Sequence, residues 1–233
     1  MADLYLLPSF LAPGSVEHIP SIVVDTIRKT RVFVVERTKT ARRFIRVLIK
    51  DFPIDDATFL ELDKHDISRS LEEVREVLRT KVDIGLMSEA GVPCIADPGA
   101  RVVNLARERG YSIRPLTGPS SIILGLMASG MNGQQFTFHG YLPIKGGELV
   151  SKLKGISKLA TKEGSTHLFI ETPYRNDKLI TQIVKHVDST LHLSVATDLN
   201  NKDEKIIVQK VANWANKSIG KVPAIFSIGQ LQQ

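Results

Sequence analysis

One cysteine in 233 residues, Cys94, rules out an internal disulfide and leaves no set of thiolates for a structural metal cluster. The six histidines have no ligand-like spacing, so the chain does not read as a metalloenzyme. Long apolar runs are also missing: the stretch 122–131 is interrupted by Gly125, Ser129 and Gly130 and falls short of the roughly 18 to 20 residues that cross a bilayer. The opening Met-Ala-Asp-Leu-Tyr-Leu-Leu-Pro carries an acid at Asp3, has no basic region and is stopped by Pro8, so it reads as a first core strand and not a secretory leader. A soluble protein of a reducing, cytoplasmic compartment is expected. Aromatics make up only 6% of the chain, which leaves no visible platform for stacking bases.

The residues that are present suffice for a folded core. At 42% hydrophobic, the chain can build one large or two medium domains. Apolar runs at 4–7, 32–35, 84–87 and 113–116 alternate with helical patterns, the signature of parallel βαβ units. Ser70-Leu71-Glu72-Glu73 reads as a capping box, followed by Val74, Val77 and Leu78 on one helical face. Another helix is expected over 101–109, stopped by Gly110. Beyond 116 the texture changes. A helix over 120–129 leads to strands expected at 136–138, 166–171, 191–197, 205–209 and 224–228, with helices at 151–160, 176–187 and 211–216. That succession predicts a mixed sheet, so the expectation is two α/β domains, 1–116 with a mostly parallel sheet and 117–233 with a mixed one.

Two loops carry the chemistry. The run 84–87 delivers its end into Ser88-Glu89-Ala90-Gly91-Val92-Pro93-Cys94-Ile95-Ala96-Asp97-Pro98-Gly99, where glycines allow close backbone approach, prolines stiffen the loop and two carboxylates stand ready. The run 113–116 enters Thr117-Gly118-Pro119-Ser120-Ser121, where a serine either caps the following helix or leaves its N–H groups to a ligand. Elsewhere, 41–50 splits at helical period into an apolar stripe of Ala41, Phe44, Ile45 and Leu48 and a cationic face of Lys39, Arg42, Arg43, Arg46 and Lys50. That face is either a track for phosphates or a solvated surface. The formal net charge of +6 permits a polyanionic partner.

Together with Gly140-Tyr141-Leu142-Pro143 and Glu171-Thr172-Pro173-Tyr174-Arg175, these loops resemble the tetrapyrrole (corrin/porphyrin) methylase superfamily. The resemblance is to its branch that methylates a ribose 2′-hydroxyl of small-subunit ribosomal RNA. That branch carries Ser-Asp-Ala-Gly-Thr-Pro, Ser-Asp-Pro-Gly, Pro-Gly-Pro-Ser, Gly-Phe-Leu-Pro and Glu-Ser-Pro-His-Arg in the same order. The resemblance implies S-adenosyl-L-methionine as cofactor in a crevice between the domains, ribosomal RNA as partner and a symmetric homodimer. It places the cofactor against Leu7, Pro8, Ser88, Glu89, Gly91, Val92, Ser120, Ser121, Glu171 and Thr172. Three departures bear on the methyl acceptor: the first loop reads Pro8-Ser9-Phe10-Leu11-Ala12-Pro13-Gly14, Glu36-Arg37-Thr38 stands where the branch has Glu-Asp-Thr, and the loop acid is lengthened to Glu89.

A ribose hydroxyl is a poor nucleophile at neutral pH and gains from a general base, for which Glu36, His65, Glu89 and Asp97 are candidates, with Glu89 and Glu36 placed first. Asp97 has a competing role as a helix cap. Arg37, Arg42, Arg43, Arg46 and Arg175 are the expected substrate contacts, Arg175 alternatively pairing with Glu171. Two other readings stand beside RNA methylation: a small anionic acceptor such as a tetrapyrrole, and a non-catalytic RNA- or ribosome-associated protein of the same fold.

Overall fold

Four-residue apolar runs become strands here because their neighbours cover them on both faces. In the computed structural model, which describes residues 2–232, the chain runs β1 (Asp3–Leu7), α1 (Ser21–Lys29), β2 (Val32–Val35), α2 (Thr38–Leu48), β3 (Thr58–Glu61), α3 (Ile67–Arg79), β4 (Ile84–Met87), α4 (Gly99–Glu108) and β5 (Ser112–Pro115). The five strands form one sheet of order β3-β2-β4-β1-β5, every pair parallel. Central β4 is buried along its whole length, which is why its sequence is an unbroken apolar run. One face carries Leu4, Val34, Ile84 and Leu86 against Val74, Leu78, Val102 and Ala106 of α3 and α4. The other carries Leu7, Phe33, Val35 and Met87 against Val23, Ile27, Phe44 and Ile45 of α1 and α2.

Two local expectations change. Strand β3 was not foreseen, because an edge strand buries only part of its side chains and Phe59-Leu60 is too short a run to stand out. Helix α3 starts a turn before the capping box: Asp66 is its N-cap, accepting from the Arg69 N–H at 3.2 Å, and Ser70 lies inside the helix, donating to the Asp66 carbonyl. Two cap-like residues four apart compete, and the earlier wins because it adds the apolar Ile67 to the helix.

The remainder comprises α5 (Ser121–Ser129), β6 (Phe136–Tyr141), α6 (Gly146–Glu163), β7 (Thr166–Glu171), α7 (Asn176–His186), β8 (His192–Thr197), β9 (Lys205–Lys210) and β10 (Ala224–Gly229). Its sheet, β6-β7-β10-β8-β9, is mixed: β6 and β7 are parallel and every other pair is antiparallel. Phe169 and Phe226 stack at 5.6 Å beneath Leu153 and Ile156 of α6 and Ile180 and Ile183 of α7. Trp214, 1% exposed, satisfies its indole N–H on the Leu193 carbonyl at 3.1 Å. Phe136, on the edge strand β6, is 41% exposed and stays out of the core.

The described chain divides after Ser120 into two compact units. Residues 117–120 stay with the first because a Cβ on Gly118 would sit 2.2 Å from the Pro8 Cβ: the loops after β1 and β5 touch there. The first unit's core depends on Phe33, fully buried, stacked on Phe59 at 5.3 Å and edge-on to Phe52 at 6.1 Å. Phe33→Ala should lower stability by about 3–5 kcal/mol, read as a lower urea midpoint for loss of the first unit. An unshifted midpoint would show that the aromatic cluster does not hold that core.

Candidate active site at the carboxyl ends of the first sheet

Strands β2 and β4 lie side by side, yet their outgoing connections diverge, β2 leading to the outer edge at β3 and β4 leading past β1 to β5. Such a divergence opens a crevice at the carboxyl ends of an α/β sheet. The loop after β1, the start of α2 and the loop after β4 line a cavity of about 310 Å³ there. Its walls are mostly apolar, with Phe10, Leu11, Ala12, Phe44 and Val47, while Arg43 and Glu89 supply opposite charges. Phe10 and Phe44 meet edge to face at 4.6 Å.

Backbone hydrogen bonds lock the loops together. The Gly91 carbonyl accepts the Ser9 N–H at 2.9 Å and the Ser88 hydroxyl at 3.2 Å, and the Ser9 hydroxyl donates to the Ser88 carbonyl at 3.1 Å. Gly91 has φ +74°, and a Cβ there would lie 3.0 Å from both the Pro119 oxygen and Leu11. Glycine is required twice over, by conformation and by space.

A buried carboxylate ties β2 to the β4 loop. Glu36, its side chain 8% exposed, accepts the Glu89 N–H through Oε1 at 3.0 Å and pairs with Lys64 through Oε2 at 2.9 Å. The bond to Glu36 in turn raises the Lys64 pKa above its ordinary value. Both oxygens of Glu36 are thus engaged, whereas Glu89, 37% exposed and 3.8 Å from Arg37, faces the cavity. No signal near Glu36 in the sequence marks Lys64 as its partner, because the pair forms only when β2 and the segment ahead of α3 are brought together by the fold. His65 has its N–H bound to the Asp63 carboxylate at 2.8 Å.

The loop continues under strain. Cys94 and Ala96 have φ of +70° and +63°, conformations uncommon for residues with a Cβ. Asp97 Oδ1 accepts the Gly99 N–H at 2.6 Å at the start of α4, and Oδ2 is buried without a hydrogen bond of ordinary geometry. Burial raises the pKa of Asp97 and pushes the Cys94 thiol up to about 12, so that thiol is no nucleophile at neutral pH. The left-handed backbone and the disfavoured charge both cost stability.

The remaining candidates divide by unit. Leu7 is fully buried in the core and offers only its backbone, while Pro8 packs on Gly118 and Val92 is half-buried beside Gly91. Ser120 ends the first unit and Ser121 opens α5; both are half-buried. In the second unit, Glu171 is ion-paired to Arg175 and its Oε1 accepts the Thr172 N–H at 2.6 Å, with Thr172 itself exposed. On α2, Arg42 is committed elsewhere: its guanidinium pairs with Asp55 and lies 5.6 Å over the Phe59 ring. Arg43 and Arg46 remain exposed, without an ion-pair partner among the described residues. The cationic face is therefore narrower than its sequence, for Asp55 lies 13 residues away from Arg42.

Comparison with known proteins adds to this geometry. The family model for Tetrapyrrole (Corrin/Porphyrin) Methylases matches residues 11–215. The protein named ribosomal RNA small subunit methyltransferase I in Bacillus subtilis is 27% identical over 220 residues, 93% of this chain and 71% of that protein. Its namesake in Vibrio cholerae is 29% identical over 87% of this chain and 67% of its own length. Among solved structures, a conserved hypothetical protein of Aeropyrum pernix K1 superposes with a TM-score of 0.68 at 13% identity, over 100% of this chain and 86% of that one. Uroporphyrin III C-methyl transferase of Thermus thermophilus gives 0.61 at 15% identity, over 99% and 98%. At that identity the two structures speak for the fold alone.

The raised pKa of Asp97 has a sign that can be tested. The folded chain holds the Asp97 proton more tightly than the unfolded chain does, so ionisation costs stability as pH rises from the unfolded pKa, roughly 3.9, through the raised folded one. Asp97→Asn keeps an acceptor for Gly99 and removes the charge. Its melting temperature should exceed that of the wild type at pH 7, with the gain shrinking toward zero as pH falls below 4. A variant less stable at pH 7 would contradict the reading of Asp97 as a strained charge.

Proposed function

The chain belongs to the tetrapyrrole (corrin/porphyrin) methylase family, and we propose that it transfers a methyl group from S-adenosyl-L-methionine to a ribose 2′-hydroxyl of small-subunit ribosomal RNA. The observation that carries the proposal is the apolar cavity at the diverging ends of β2 and β4, with Glu89 in its wall and the loop behind it packed on Leu11 and Pro119 at Gly91. The names of the relatives support RNA as the acceptor.

The residues suit the cofactor's chemistry. A sulfonium and an ammonium are cations, and the carboxylates Glu36, Glu89 and Asp97 gather at this sheet end. When bound, the cofactor supplies a methyl group on an electrophilic sulfonium. Ser88, Glu89, Gly91 and Val92 with Pro8 would hold it, and Ser120, Ser121, Glu171 and Thr172 are the other residues proposed to do so. Most of the rate then comes from alignment, worth on the order of 7–11 kcal/mol in favourable cases. Glu89 accepts the proton of the attacking hydroxyl. Glu36 acts through Glu89: it fixes that residue's backbone while Lys64 neutralises its charge. Arg43 and Arg46, with Arg37 and Arg175, take phosphates of the RNA, and the enzyme works in the cytoplasm as a twofold homodimer, the commonest oligomer.

Purified protein should place a labelled methyl on small-subunit ribosomal RNA, recovered after nuclease digestion as a 2′-O-methyl nucleoside by mass spectrometry. Glu89→Gln should lower kcat about 10²–10⁴-fold, the scale of general-base catalysis, while the affinity for S-adenosylhomocysteine falls by far less. Methyl transfer to a tetrapyrrole or another small anion with none to RNA would overturn the acceptor, and failure to bind S-adenosylhomocysteine would overturn the enzyme.

A further inference from the structure

Helix α6 of the second unit has a face that the proposed methyl transfer does not use. Its 18 residues bury Leu153, Ile156 and Ala160 against the sheet. At 100° per residue the opposite side gathers Lys154, Lys158 and Lys162, spaced about one turn apart, with Ser157 and Thr161 along the flank beside them. The three lysines are exposed, and none has an ion-pair or hydrogen-bond partner among the described residues. Beside them the end of α7 brings His186, and Lys154, Ser157, Lys158, Thr161, Lys162, His186 and Asp188 line an open groove of about 450 Å³. Asp188 is the groove's only acid, and Thr190 holds that carboxylate through its N–H at 2.9 Å and its hydroxyl at 2.7 Å.

We propose that the α6 groove is a second RNA-binding surface, holding the phosphate backbone of the ribosomal RNA substrate through Lys154, Lys158 and Lys162, with Ser157 and Thr161 as hydroxyl donors. The proposal rests on the reading of the chain as an RNA methyltransferase. Lysines one turn apart advance by about 6 Å along the helix, a spacing suited to successive phosphates of one strand. Lysine meets phosphate as a point charge and reads no base, so the groove adds affinity and orientation without sequence preference.

The test is a triple variant, Lys154→Gln, Lys158→Gln and Lys162→Gln, in the full chain. Binding of a naked small-subunit ribosomal RNA fragment is followed by fluorescence anisotropy across a salt series, and methyl transfer to the same RNA is followed in parallel. The slope of log Kobs against log [salt] should fall by roughly two to three units, at about 0.7–0.9 per lost phosphate contact. KM for RNA should rise with kcat and S-adenosylhomocysteine affinity unchanged. A control variant, Lys29→Gln, Lys202→Gln and Lys205→Gln, removes equal charge elsewhere and should leave the slope within half a unit of wild type. Equal slopes for wild type and the α6 variant, while the wild type binds and methylates RNA, would overturn the groove and spare the function. A wild type that neither binds nor methylates RNA would overturn both. Unchanged binding to naked RNA with lost activity on intact subunits would mean that the groove docks a ribosomal protein, which also overturns the proposal.

Discussion

The site depends on one buried carboxylate. Glu36 stands where β2 ends, and its two oxygens reach in different directions, one to the backbone of the β4 loop at Glu89 and the other to Lys64 ahead of α3. A carboxylate this deep is costly unless it is paired and hydrogen-bonded, and here it is both. The consequence is geometric. Strands β2 and β4 diverge in their connections, and without a tie their loops would be free to separate. Glu36 joins them and leaves Glu89, whose backbone it holds, with a side chain facing the cavity.

Order on one side of the loop is matched by strain on the other. From Ser88 to Gly91 the chain is held by Ser9, Glu36 and its own serine, with glycine at the one place where a side chain would meet Pro119. From Cys94 to Asp97 it adopts two left-handed conformations at residues that carry a Cβ and buries a carboxylate oxygen without a good partner. A rigid half beside a strained half is the pattern expected where local stability has been traded for a fixed backbone shape. The cationic features follow a similar division of labour. Arg42 fastens α2 to Asp55 and Phe59, whereas Arg43, Arg46 and the α6 lysines are exposed, with no ion-pair partner among the described residues.

Much of this was legible in the chain itself. Buried parallel strands need apolar side chains on both faces, so β1, β2 and β4 appear as plain apolar runs, and the loop at 88–99 announces itself by glycine, proline and acid in close order. Strand β3 and the start of α3 were harder, since an edge strand writes a weak pattern and two cap-like residues four apart cannot be ranked without knowing which first turn is covered. Long-range pairing was invisible. Nothing near Arg42 in sequence reveals Asp55 as its partner, nothing near Glu36 points to Lys64, and three lysines at helical spacing look the same whether or not an acid lies across from them. Residue types were readable, and the commitments of their charges were not.

The central claim is that Glu36 and Lys64 act as one unit holding the β4 loop proposed to bind the cofactor, and a double-mutant cycle on S-adenosylhomocysteine affinity by calorimetry tests it directly. Glu36→Gln and Lys64→Met should each weaken binding by about 1–2 kcal/mol, with the double variant no weaker than Glu36→Gln alone, a coupling of at least about 1 kcal/mol. Two singles that leave affinity unchanged, or losses that simply add in the double variant, would contradict the claim.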